Sequence, residues 1–207
     1  MESEKEKLKR EFDGYFDEII KKARKSFSLA PPKRRFTDIA YLKHFMLFKD
    51  LKKPRIDQIW WINDKNFPFY IISIEADSTL TIGSRTMWRE TQTHRFLFGL
   101  VISDNNLGNS IIMRETFAHK VSEVFQKVEI DFKSHSKFSS YYYCLSKNEE
   151  HFRSVMSDDV LGFLSKVKNI DFEFNNQAYL FRPQKSIIDK KTASQMFIVG
   201  YTLAKLL

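Results

Sequence analysis

The stretch Ile170-Asp171-Phe172-Glu173-Phe174-Asn175-Asn176-Gln177-Ala178-Tyr179-Leu180-Phe181-Arg182-Pro183 alternates apolar with charged residues, turns, and alternates again. In an extended chain Ile170, Phe172 and Phe174 share one side, and Asp171 and Glu173 the other. Asn175-Asn176 is turn chemistry, Tyr179 and Phe181 alternate on the return, and Arg182-Pro183 closes the unit. This period of two predicts a β-hairpin. The period changes on both sides of it. Upstream, Ser157-Asp158-Asp159 opens a helix carrying Val160, Leu161, Leu164 and Val167, and Asn148 offers a cap to another with Phe152, Val155 and Met156. Downstream, Met196, Val199, Leu203 and Leu206 form the stripe of a C-terminal helix over 192–206.

Further upstream the chain is strand-rich. Residues 56–62, with Trp60 and Trp61, are β-formers. Tyr70, Ile72 and Ile74 alternate within a strand over 69–76, and 77–85 reads as a loop. A long strand over 91–103 pairs back on 69–76. The run from Asp104 to Asn109 is a strong turn, and 111–114 is a short strand. These segments predict an antiparallel β-meander. Residues 115–126 have helical spacing, 130–138 an irregular link, and 140–145 another strand. Two helices precede the meander: a short one over 38–45 and a long amphipathic one over 3–27. In the latter, Leu8, Phe12, Tyr15, Phe16, Ile19, Ile20 and Ala23 form one face. Ser3 and Glu6 resemble a capping box, and Pro31-Pro32 ends the element. The expected organisation is an N-terminal helix and basic connector over 1–35, then one α+β domain over 36–207.

The chain has 207 residues, 43% of them hydrophobic, with 20 Phe and only 6 Gly and 5 Pro. It is long enough to bury a core without staples, and too apolar for disorder throughout. The single Cys144 offers no internal disulfide partner. The Glu/Lys-rich start does not read as a secretory signal, and no apolar run reaches membrane-spanning length. A cytoplasmic location is the expectation. The net charge is +8, and it is localised. Residues 21–55 hold twelve Lys/Arg against only Asp38 and Asp50, a net of +10, while 1–20 are net acidic and 56–207 nearly neutral.

The segment from Val128 to Tyr141, with Ile130-Asp131-Phe132, His135 and Phe138-Ser139, carries a resemblance. With Leu145 to Glu150, Phe152-Arg153, Met156 to Leu164 and the Tyr179-Leu180-Phe181-Arg182-Pro183 close, it resembles a group of uncharacterised bacterial domains. Upstream, Thr91-Gln92-Thr93-His94 is similar to the strand after a variable hairpin in that group. The resemblance is clearest over 128–183. It implies no catalytic residue, because the group has no assigned activity. Several of its members carry membrane segments before the domain, where this chain has the amphipathic helix.

The remaining candidates come from residue chemistry. The five His lack HExxH and zinc-finger spacing, so neither a metal nor a cofactor is expected. His135 lies beside Asp131, a pair that could hold an imidazole for base chemistry. Glu75, Asp77 and Glu90 could form a carboxylate cluster, but the Glu-x-Lys of metal-dependent nucleases is missing. Cys144 has neighbours that do not lower a thiol pKa, and reads as structural. The basic segment interleaves cations with Phe27, Phe36, Tyr41 and Phe45, a composition suited to nucleic acid, an acidic protein or an anionic membrane surface. The expected function is non-catalytic binding or scaffolding, with Lys33, Arg34, Arg35, Lys52 and Lys53 presented to an anionic partner. A hydrolase using His94 or His135 with Glu75, Asp77 or Asp131 is one alternative. Peripheral membrane association through residues 3–27 is another, and the same helix offers a route to an oligomer.

Overall fold

The computed structural model describes residues 21, 28–30, 39–49, 51–63, 68–82, 88–114, 129–184 and 189–207. Its centre is an eight-stranded antiparallel sheet among the described residues. The strands are β1 (Ser28–Ala30), β2 (Lys52–Asn63), β3 (Phe69–Ile82), β4 (Trp88–Ile102), β5 (Asn109–Met113), β6 (Tyr143–Ser146), β7 (Ile170–Asn175) and β8 (Ala178–Pro183). They lie in the order β1-β2-β3-β4-β8-β7-β5-β6. The helices are α1 (Ile39–Leu42), α2 (Met46–Lys49), α3 (Ser136–Ser139), α4 (Glu149–Val155), α5 (Asp158–Leu164) and α6 (Lys190–Leu206). The α+β expectation is met. The predicted helix over 3–27 lies outside the described residues apart from Lys21, and that over 115–126 lies outside them entirely.

Both faces of the sheet are covered. One carries Ile71, Leu97, Val101, Phe172, Phe174 and Phe181, packed under Met196, Phe197, Val199 and Leu203 of α6 and the apolar sides of α4 and α5. The other carries Tyr70, Ile72, Ile74, Phe98, Leu100, Ile111 and Leu180, packed under Leu42, Phe45, Leu47 and Phe48. At one point a ring on a neighbouring strand lies over the backbone where only glycine leaves it room. A Cβ on Gly99 would meet the Phe181 ring at 1.9 Å.

The meander is correct for β2, β3 and β4 and stops there. β5 does not follow β4, because the β7–β8 hairpin is inserted between them. The hairpin is buried along almost its whole length, which suits a central place in the sheet better than an exposed edge.

The β3–β4 hairpin is also longer than predicted. Pairing continues from Asp77↔Thr93 to Ile82↔Trp88, across much of the expected loop. Thr79, Thr81 and Ile82 are themselves β-formers, which sustains the ladder. Strand β2 begins at Lys52 and passes through Pro54 with register shifts between Lys52 and Arg55 and between Ile56 and Gln58. Lys53 stands at φ 47°, and this irregular pairing accommodates a proline that has no N–H to give. The strand expected over 140–145 is shorter, at Tyr143–Ser146, and the irregular link contains a 3-10 turn over Lys133–His135 followed by α3.

The helix expected over 38–45 ends already at Leu42, and a second short turn, α2, follows at Met46–Lys49. Leu42, Phe45 and Phe48 keep a step of three on the buried side. The amides of Met46 and Leu47 do not continue a helix from α1. They donate to the side chain of Glu173, each reaching one of its two oxygens at 2.8 Å.

Candidate functional site

The cations of the basic segment have a common origin in local folding. α1 and α2 turn Leu42, Phe45, Leu47 and Phe48 onto the sheet, which leaves the residues between and after them outward. Lys43, His44, Lys49, Lys52, Lys53 and Arg55 are all exposed. Lys53 Nζ lies 3.9 Å from Asp77, and Arg55 Nη2 lies 3.9 Å from Glu75. Both basic side chains are mostly in water, so these pairs hold them weakly. Among the described residues, Lys43 and Lys52 are in no ion pair. Of the five cations singled out from the sequence, Lys52 and Lys53 are therefore on the surface. Lys33, Arg34 and Arg35 lie outside the described residues. Phe45 is core, and Tyr41 packs edge-on against it and against His44, so these two aromatics seat the segment, while Phe27 and Phe36 lie outside the described residues.

The candidate catalytic residues fall in separate places. Glu75 and Asp77 lie on one face of β3. His94 is directly opposite Ala76 in the ladder and therefore points to the other face. The carboxylates are already engaged. Arg95 Nε donates to Glu75 at 3.3 Å, Arg95 Nη2 reaches Asp57 at 3.3 Å, and Ser73 Oγ donates to Asp57 at 3.2 Å. Thr93 donates to Asp77 at 3.3 Å. The third acid, Glu90, is in β4, and its side chain is outside the described set. His94 Nε2 is buried without a hydrogen-bond partner among the described residues.

His135 does form an acid–imidazole pair, but the acid is Asp158 rather than Asp131, with Nε2 2.8 Å from Oδ1. The 3-10 turn carries the ring toward the start of α5, while the Asp131 carbonyl is taken by Arg153 at 2.9 Å. Asp158 is 92% exposed, so this is a surface link. Cys144 is buried, and burial, followed by the charges of Asp131 and Glu129, pushes its thiol pKa far up. It is not poised as a nucleophile. No group of three His, Cys, Asp or Glu among the described residues is placed to hold a metal ion.

A second polar cluster escaped the sequence reading. Asp171 and Glu173 face the α1–α2 layer, at 2% and 4% exposure. Glu173 accepts from the Met46 and Leu47 amides. Arg182, opposite Asp171 in the ladder, donates through Nη1 to the Leu47 carbonyl at 2.7 Å. Its Nε lies 3.9 Å from Asp171, which also accepts from Gln184 at 2.7 Å. Burial raises the pKa of both acids, against the lowering effect of these hydrogen bonds and of Arg182. The signal was present as charged residues in an otherwise apolar strand, but alternation does not reveal what covers the charged side.

No protein-family model, no curated protein and no solved structure matches this chain.

Proposed function

We propose that the protein is a non-catalytic binding domain that presents the cations of residues 43–55 to an anionic partner. The observation that carries this reading is the coincidence of two facts. The chain's charge excess is confined to residues 21–55, and every described Lys and Arg of that segment is exposed. Clustered cations of this kind gain affinity by releasing counterions from a polyanion or an anionic surface. The seating of Phe45 in the core favours charge contact over base stacking. Against a hydrolase stand the separation of His94 from Glu75 and Asp77 and the prior engagement of both acids. No helix among the described residues is long and apolar enough to cross a membrane. Association through residues 3–27 would add to this surface rather than replace it.

The test is binding of a fluorescein-labelled polyuridine oligonucleotide and of phosphatidylserine-containing vesicles across a salt series. The triple variant Lys43→Glu, Lys49→Glu, Lys52→Glu should bind at least about tenfold more weakly. Its salt dependence should be shallower, by roughly one unit of slope for each phosphate no longer neutralised. Equal binding and slope for the variant and the wild type would remove the reading. Preference between the two probes identifies the class of partner.

A further inference from the structure

Residues 39–49 lie over the sheet as only two four-residue helical turns, α1 and α2, before the chain enters β2 at Lys52. Elements so short are not stable alone, and their geometry must be imposed from outside. Hydrophobic seating by Leu42, Phe45, Leu47 and Phe48 fixes depth but not register, because apolar contact is non-directional. Directional contacts come from the β7–β8 hairpin. Glu173 takes two consecutive amides, Met46 and Leu47, each at 2.8 Å, and Arg182 takes the Leu47 carbonyl at 2.7 Å. Donor and acceptor of a single peptide neighbourhood are thus gripped by opposite charges on adjacent strands. Both carboxylate oxygens are used, so the grip sets orientation as well as position. Asp171 and Gln184 in turn hold the Arg182 end of the arrangement. The grip spans 126 residues of sequence between Glu173 and Leu47; the lysines on either side of it, Lys43 and Lys49, are exposed, and the exposed Lys52 and Lys53 follow at the start of β2.

We propose that Glu173 and Arg182 are positioning residues for the cationic surface, clamping the Met46–Leu47 backbone so that the flanking lysines engage an anionic partner as one fixed array. The inference rests on the binding reading above and names what organises that site. A fixed array meets several phosphates at once, whereas a loosened segment engages fewer of them and releases fewer counterions.

The decisive experiment uses the full chain with Glu173→Gln, and Arg182→Lys as a second variant that keeps the charge without the planar fork. Amide hydrogen exchange at Met46 and Leu47 should accelerate at least about tenfold, while Ile71 and Phe98 in the sheet stay protected. Polyuridine affinity should fall severalfold with a shallower salt slope, although no surface charge has been altered. Unchanged exchange at Met46 and Leu47, or faster exchange with wild-type affinity and slope, would overturn the clamp. Failure of the wild type to bind, or full binding by the Lys43/Lys49/Lys52 triple variant, would instead bring down the binding reading on which it rests. Should Glu173→Gln not fold, the Arg182→Lys variant carries the same comparison.

Discussion

Tyr179 carries a hydroxyl that is buried without a hydrogen-bond partner among the described residues, between Phe174 and Phe181. An unmet polar group in such a core costs about 1–3 kcal/mol. Tyr179→Phe is therefore expected to raise stability by about 1 kcal/mol, read as a higher urea midpoint at unchanged slope. A lower midpoint would show that the hydroxyl has a partner. The buried acids behave differently. Burial raises the pKa of Glu173 and Asp171 above the ordinary carboxylate value. The native state then holds these protons more tightly than the unfolded chain does. The stability each contributes is full below the ordinary carboxylate value and is lost as pH rises through the raised one. The stability advantage of the wild type over Glu173→Gln should accordingly be widest in mild acid and narrow toward neutral pH. Denaturant titrations at a series of pH values check this, and a gap that widens with pH would contradict it.

At the scale of elements, the local signals were the legible ones. Asn148 and Ser157 were readable as helix caps, and their side chains accept from the His151 and Val160 amides. Each substitution to Ala should cost about 1 kcal/mol, measured by thermal unfolding. A change near zero for both would mean that tertiary packing alone holds α4 and α5. The 170–183 hairpin was equally legible, since its turn and alternation involve neighbours in sequence. What escaped was the environment of its charged side. Asp171 and Glu173 have the spacing of a solvated strand face, and only the return of residues 39–49 converts that face into an interior one. For the same reason the helical pattern over 38–45 did not disclose its break after Leu42 or the new turn that starts at Met46, whose amide finds a carboxylate far away in the chain. The proposed surface was visible by counting charge, whereas the groups that hold it were not.

For the whole molecule, pairing between distant segments governs the fold. β4 meets β8 through Gly99↔Phe181, and β5 meets β7 through Ile112↔Phe172, so the late hairpin joins two earlier parts of the sheet. Sequence pattern identified most of these strands but not their spatial order, which is set by pairing between distant segments. The charge distribution follows the same division. Residues 56–207 are close to neutral, and the described cations of residues 43–55 sit on the layer over one face of the sheet and at the start of β2. The inserted hairpin also has a temporal meaning. During synthesis β2–β4 and β5–β6 emerge first, each with an open edge that only residues 170–183 can close. The sheet is therefore completed late, and until then the nascent chain holds two unfinished halves in need of protection from wrong partners.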